Sequence, residues 1–151
     1  DLPEFARKIQ DLGFLVKLDT NGNNPKMLLS MIDKGLLDYI AMDVKTNLES
    51  YRDLVGGRVD PENIKESIEM IMRSGVEYEF RSTILPEVHS LDTLVDMAEM
   101  IKGANVLYLQ KFRQGKVLDS KFAQYKSFSD SEMDSAANIF KQKIKDVVVR
   151  P

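Results

Sequence analysis

Asp43-Val44-Lys45 sets a carboxylate and an ammonium group two residues apart, hence on the same side of an extended strand. Opposite charges presented together suit a zwitterion such as an amino acid, with Asp43 accepting from the amine and Lys45 meeting the carboxylate. Arg81 could add a guanidinium fork to that same carboxylate. The plainer alternative is that Asp43 and Lys45 neutralise each other. Leu18-Asp19-Thr20-Asn21-Gly22 ends another apolar run in polar atoms. Asp19 and Thr20 could hold a cation or accept from an ammonium group, whereas Asn21-Gly22 is equally consistent with a tight turn.

Other candidates are bland. His89 is the only histidine, without a cysteine or acid cluster nearby, and makes a poor metal site. Gly56-Gly57 lacks the strand–glycine–helix setting of a nucleotide loop. The methionines fall mostly on helical apolar faces and read as core packing. No base accompanies any serine or threonine, so no hydrolase triad can be assembled.

The elements that must position these residues repeat in a rhythm of helix, glycine and strand. Helices are expected over 2–12, 25–34, 61–74, 90–102 and 130–145, and strands over 14–19, 38–44, 76–83, 105–110 and 147–149. That order predicts an α/β fold with a mostly parallel sheet and crossover helices. The long connections after strands, 46–60 and 111–129, mark the end of the sheet where α/β proteins place their sites. Alternation predicts one face of Phe14, Val16 and Leu18; Ile40, Met42 and Val44; Tyr78 and Phe80; and Leu107 and Leu109, all toward helices. The other face carries Lys17 and Asp19; Ala41, Asp43 and Lys45; Glu77, Glu79 and Arg81; and Tyr108 and Gln110. A small closed barrel fills its interior with branched apolar side chains, so this charged face reads as the wall of a wet lumen. Structural ion pairing or solvated exposure is the expectation for Lys17, Glu77 and Glu79. A site is the expectation for Asp19, Asp43, Lys45 and Arg81, at strand carboxyl ends.

Composition sets the outer bounds. With 151 residues, 43% apolar and 30% charged, the chain fits one globular domain with a real core. A net charge of −3 gives no footprint for nucleic acid or an anionic membrane. No apolar run approaches the roughly 20 residues that span a bilayer, and no signal peptide opens the chain, so it is expected to be cytoplasmic. The absence of cysteine removes disulfides, zinc–cysteine sites and any iron–sulfur cluster ligated by these residues.

Taken in order, "KLDTNG", "DYIAMDVK", "EYEFRSTILP" and "LYLQKF" resemble the radical S-adenosylmethionine enzymes over essentially the whole chain. They are most similar to activating enzymes of glycyl radical enzymes, those of anaerobic ribonucleoside-triphosphate reductase or of pyruvate formate-lyase. The resemblance implies a partial (β/α) barrel, the C-terminal part of a TIM-like barrel, in which S-adenosylmethionine is cleaved by a [4Fe–4S] cluster. The family's Cys-x-x-x-Cys-x-x-Cys loop and Gly-Gly-Glu-Pro motif, which lie on its first two strands, are absent. The chain is therefore expected to be inactive alone, either a piece lacking the cluster segment or a degenerate domain that retains a cofactor-shaped wall. By resemblance, Asp19, Thr20 and Asn21 line the methionine end of the cofactor, and Asp19 and Thr20 are candidates for a monovalent cation. Asp43 and Lys45 match an Asp-x-Lys at that end, Arg81 an arginine directed at the carboxylate, and Gln110 a position near ribose or adenine. Formate-lyase activases carry histidine where this chain has Phe112, which favours the anaerobic ribonucleotide reductase type, or an unassigned relative, over a formate-lyase activase; the partner implied is a glycyl radical enzyme such as anaerobic ribonucleotide reductase.

Two other classes fit the residues less specifically. One is a barrel lyase or aldolase using Lys45 as a Schiff-base nucleophile; the other is a non-catalytic interaction domain. A half-complete barrel also exposes a sheet edge and invites self-association.

Overall fold

The computed structural model describes residues 1–115 and 120–150. Five strands, β1 (Lys17–Thr20), β2 (Tyr39–Asp43), β3 (Glu77–Ile84), β4 (Val106–Lys111) and β5 (Asp146–Arg150), pair in sequential order and all in parallel. The helices are α1 (Leu2–Asp11), α2 (Pro25–Asp33), the short α3 (Tyr51–Leu54), α4 (Pro61–Arg73), α5 (Leu91–Met100) and α6 (Asp130–Lys141), with a 3-10 turn at Ser120–Gln124. The expected rhythm is borne out; α3 and the 3-10 turn are additions inside the two long connections.

Local chemistry explains where the helices begin. Asn24, Asp60, Ser90 and Ser129 each accept a backbone N–H of the first turn they cap, and Ser129 with Glu132 completes a capping box. Proline occupies the first turn of α1, α2 and α4, where no N–H is needed. Asp1 stands at the N-cap of α1, but its side chain makes no cap hydrogen bond. Gly75, at φ +73, takes the left-handed step that ends α4 and turns the chain into β3.

Sequential parallel order with crossovers of one hand puts the helices on one side of the sheet, unlike doubly wound folds in which the order reverses. Burial agrees. Ile40, Met42, Val44, Phe80, Ile84, Leu107 and Leu109 form a sealed row against the helices, joined by Met31, Ile64, Ile68, Ile71, Met97 and Phe140. The opposite face is the charged one, carrying Lys17, Asp19, Asp43, Glu79 and Arg81.

The first strand departs from expectation. It begins at Lys17, not Phe14, and Phe14 and Leu15 are 64% and 81% exposed. Phe14 therefore does not face the helices. Strand β1 pairs only with β2, and α1 buries only Ala6, with Leu2, Phe5 and Leu12 exposed; no neighbour holds residues 14–15 in a ladder. What fixes the end of β1 comes from α4. The Ser67 hydroxyl, itself buried, donates to the Gly22 carbonyl at 2.7 Å, and Asn63 Nδ2 donates to the Asn23 carbonyl at 3.2 Å. A Cβ on Gly22, at φ +76, would lie 2.1 Å from Met42 Cε. Gly22→Ala should destabilise the fold beyond the ~1–2 kcal/mol of left-handed backbone strain. Gly35→Ala, also left-handed but in open space, should cost only the strain, and urea unfolding midpoints compare the two.

Candidate functional site

Asp19, Asp43 and Arg81 stand at the carboxyl ends of three adjacent strands. The register pairs Asp43 with Arg81 and Asp19 with Ala41, so all three project from the charged face. Arg81 lies between the two carboxylates. Its Nη1 is 2.7 Å from Asp19 Oδ1, and its Nη2 and Nε are each 3.0 Å from Asp43 Oδ1. Burial by itself would lower the guanidinium pKa, but the charges and hydrogen bonds of Asp43 and then Asp19 more than offset that and raise it. Lys45 Nζ reaches Asp43 Oδ2 at 3.5 Å and is 42% exposed. It is a paired, solvated ammonium, unlike the desolvated amine a Schiff-base nucleophile requires.

A second layer lies one step down the strands. Glu79 is only 5% exposed; it accepts from Lys17 Nζ at 3.3 Å and from the Tyr39 hydroxyl at 3.0 Å, with Arg81 Nη1 4.0 Å away. Burial and then the hydrogen bond to Glu79 push the Tyr39 phenol up to about 12, so it remains the donor. The ion pairing expected of Lys17 and Glu79 is thus present, while Glu77 is exposed.

The loop after β2 is clamped from three sides. Ser82 Oγ donates to the Val44 carbonyl at 2.7 Å, and the Tyr51 hydroxyl accepts from the Lys45 N–H at 3.1 Å. His89 Nδ1 lies 3.1 Å from the Leu85 backbone nitrogen and 3.2 Å from the Leu85 carbonyl, and Nε2 lies 2.9 Å from the Lys45 carbonyl; with the proton on Nε2 the ring accepts from the Leu85 N–H and donates to the Lys45 carbonyl. His89 is therefore a buried, neutral clamp.

Two cavities meet at the ion pair. One, of about 430 Å³, has Asp43, Lys45, Arg81 and Thr83 facing an apolar side that includes Val88, Phe112 and Phe122. The other, of about 470 Å³, runs past Asp19, Thr20 and Asn21 toward Met27 and Leu28. Among the described residues, only Asp43 and Arg81 line both.

Asp19, Asp43, Lys45 and Arg81 are thus brought together. Thr20 and Asn21 share the second cavity with Asp19, but Thr20 has Met42 as its register partner, on the helix side of the sheet, and its Oγ1 accepts from the Gly22 N–H at 3.1 Å. Asn21 Oδ1 accepts from the Asn23 N–H, the turn that Asn21-Gly22 suggested. Gln110 lines neither cavity; its Oε1 accepts from Thr83 Oγ1 at 3.4 Å. Sequence reasoning missed Tyr39, Tyr51, Thr83 and the clamp made by His89. Tyr39 and Thr83 could have been found by extending the alternation of β2 and β3 by one step. Among the described residues no group of three or more His, Cys, Asp or Glu could hold a metal ion, and no helix is long and apolar enough to cross a membrane.

No family profile matches the chain. A protein of Methanocaldococcus jannaschii named "putative glycyl-radical enzyme activating enzyme" is 32% identical over 151 residues, covering 97% of this chain and 63% of that protein. The chain is similar to the glycyl-radical enzyme activating enzymes. It spans less than two thirds of that relative's length. A crystal structure of a domain of pyruvate-formate lyase-activating enzyme from Bacteroides vulgatus superposes with a TM-score of 0.78, covering 99% of this chain and 89% of that one at 12% identity. The parallel α/β wall expected from the sequence is the fold of that activating-enzyme domain.

The clamp makes the fold sensitive to mild acid. Burial, the largest influence, lowers the His89 pKa below its ordinary 6.5 against the two backbone contacts that raise it. As pH falls, the unfolded chain therefore binds the proton first; the stability present above 6.5 is lost on acidification, by at most about 1.4 kcal/mol per pH unit. Glu99, Asp130 and Glu132 are held below their ordinary values of 4.5, 3.8 and 4.5 by hydrogen bonds from Lys102, Lys111 and Ser129, so their protonation acts at lower pH. Urea midpoints should fall as pH drops below 6.5, and His89→Gln should flatten that decline while lowering stability at neutral pH.

Proposed function

We infer that the chain is the C-terminal part of a radical S-adenosylmethionine activating enzyme and forms the cofactor-binding wall of its barrel. The whole protein would generate a glycyl radical on a partner enzyme. The observation that carries this reading is the meeting of Asp19, Asp43, Lys45 and Arg81 between two cavities. It occurs in a chain similar in sequence to a glycyl-radical enzyme activating enzyme. An amino-acid zwitterion needs an anion for its ammonium and a cation for its carboxylate, and this cluster offers both. Phe112 and Phe122 give the first cavity aromatic surface suited to a nucleoside.

S-adenosylmethionine, once bound and reduced by an iron–sulfur cluster, supplies the radical that takes a hydrogen atom from a glycine of the partner. The residues here bind and orient: Arg81 and Lys45 meet the carboxylate, Asp19 and Asp43 the ammonium, and the apolar side of the first cavity excludes water. Asp19 and Thr20 are the candidates for a monovalent cation, Asn21 shapes the same rim, and Gln110 reaches the ribose or adenine side only through its hydrogen bond with Thr83, which lines the first cavity. The [4Fe–4S] cluster does not fit these residues, because the chain has no cysteine; its ligands belong to another segment of the complete protein, and this chain alone is inactive. Phe112, where formate-lyase activases carry histidine, favours an anaerobic ribonucleotide reductase as partner.

NMR titration of the 15N-labelled chain with S-adenosylmethionine tests the reading. Shifts should appear around Asp19, Asp43 and Arg81, and Asp43→Asn or Arg81→Lys should each weaken binding about tenfold, the worth of one charge-assisted hydrogen bond. No shift at millimolar cofactor would count decisively against it. Translating the DNA upstream of Asp1 should reveal a Cys-x-x-x-Cys-x-x-Cys segment.

A further inference from the structure

Every nitrogen of the Arg81 guanidinium already faces a carboxylate. Nη1 is held by Asp19, while Nη2 and Nε converge on one oxygen of Asp43. The two carboxylates are not equivalent. Asp43 takes two nitrogens, carries Lys45 on its other oxygen and pairs with Arg81 in the register of two inner strands. Asp19 takes one nitrogen through one oxygen, stands on the edge strand and has 60% of its side chain in solvent. An exposed single ion pair contributes little, so Asp19 is the partner that Arg81 releases most readily.

We propose that Asp19 stands in for the ligand carboxylate and that the site binds by exchange. The incoming carboxylate takes the place of Asp19 at Arg81 Nη1, and the released Asp19 accepts the ammonium of the same ligand. This rests on the zwitterion reading of the site given above. The exchange keeps every charge paired: Arg81 holds two carboxylates before and after, and Asp19 trades one cation for another. A plain carboxylate would expel Asp19 from Arg81 and bring no cation of its own to replace the guanidinium. A plain amine would have to draw Asp19 from an intact pair. The site therefore selects zwitterions over simple organic acids and amines by penalising the wrong ligand, not only by rewarding the right one. Asp19 and Arg81 line the same cavity, so one small ligand can reach both.

The test compares methionine with 4-(methylthio)butanoate, which lacks only the amine, by NMR titration of wild type and Asp19→Asn. Wild type should bind methionine at least about tenfold more tightly, one charge-assisted hydrogen bond's worth. In Asp19→Asn the butanoate should bind more tightly than to wild type and methionine less tightly, so that the preference collapses. A parallel loss for both ligands, or an unchanged preference, overturns the exchange. S-adenosylmethionine titrated alongside separates the two claims. Discrimination between the small ligands without binding of S-adenosylmethionine supports the exchange and overturns the cofactor reading. Binding of S-adenosylmethionine with unchanged preference in Asp19→Asn overturns the exchange alone, and silence from all three ligands overturns both.

Discussion

A parallel sheet with helices on one side leaves its other face without an apolar partner, and in this chain the guanidinium of Arg81 resolves that constraint. Placed on the third strand, it ties together carboxylates from the first and second. Parallel strands here share backbone hydrogen bonds only with their neighbours, so β1 has no direct ladder to β3; the Asp19–Arg81 contact is a side-chain bridge across two strand spacings. Beneath it, Lys17 and Tyr39 satisfy Glu79, so the acid nearest the floor of the wall is paired before any ligand arrives. The charges proposed to recognise a zwitterion are thus the same charges that make an uncovered sheet face tolerable in water.

Precision at the rim comes from behind the sheet. Ser82, Tyr51 and His89 each take one backbone group of Val44 or Lys45, and Ser67 takes the carbonyl of Gly22. All four lie outside the charged row and are buried or nearly so. The strand ends that display Asp19, Asp43 and Lys45 are therefore fixed by their backbones, while the side chains stay partly in solvent. A held backbone under partly solvated charge is the combination that the proposed exchange of ion pairs demands.

Much of this was legible in the sequence because the relevant signals are local and periodic. Helix ends are written in Asn24-Pro25, Asp60-Pro61, Ser90 and the Ser129/Glu132 pair, and period-two alternation separates Ile40, Met42 and Val44 from Ala41, Asp43 and Lys45. Chain order alone then brings Asp19, Asp43 and Arg81 to one rim. What stayed hidden depends on partners distant in sequence. Nothing in Phe14-Leu15 tells a strand residue from an exposed connection, because the difference is whether a neighbour lies beyond β1. His89 has no local pattern that announces its role, because its contact with Lys45 spans 44 residues. Nor does the residue order reveal that Arg81 would already be occupied, since that turns on side-chain distances.

The single histidine has one more consequence. Its ring is buried, its tautomer is set by Leu85, and its Nε2 proton rests on the carbonyl of Lys45, beside the first cavity. A chain with one imidazole gives one pair of ring nitrogen signals, and here that pair reports on the backbone beneath the Asp43–Lys45 rim. The molecule thus carries a native spectroscopic probe, already in place, that senses what enters the cavity without a label being attached.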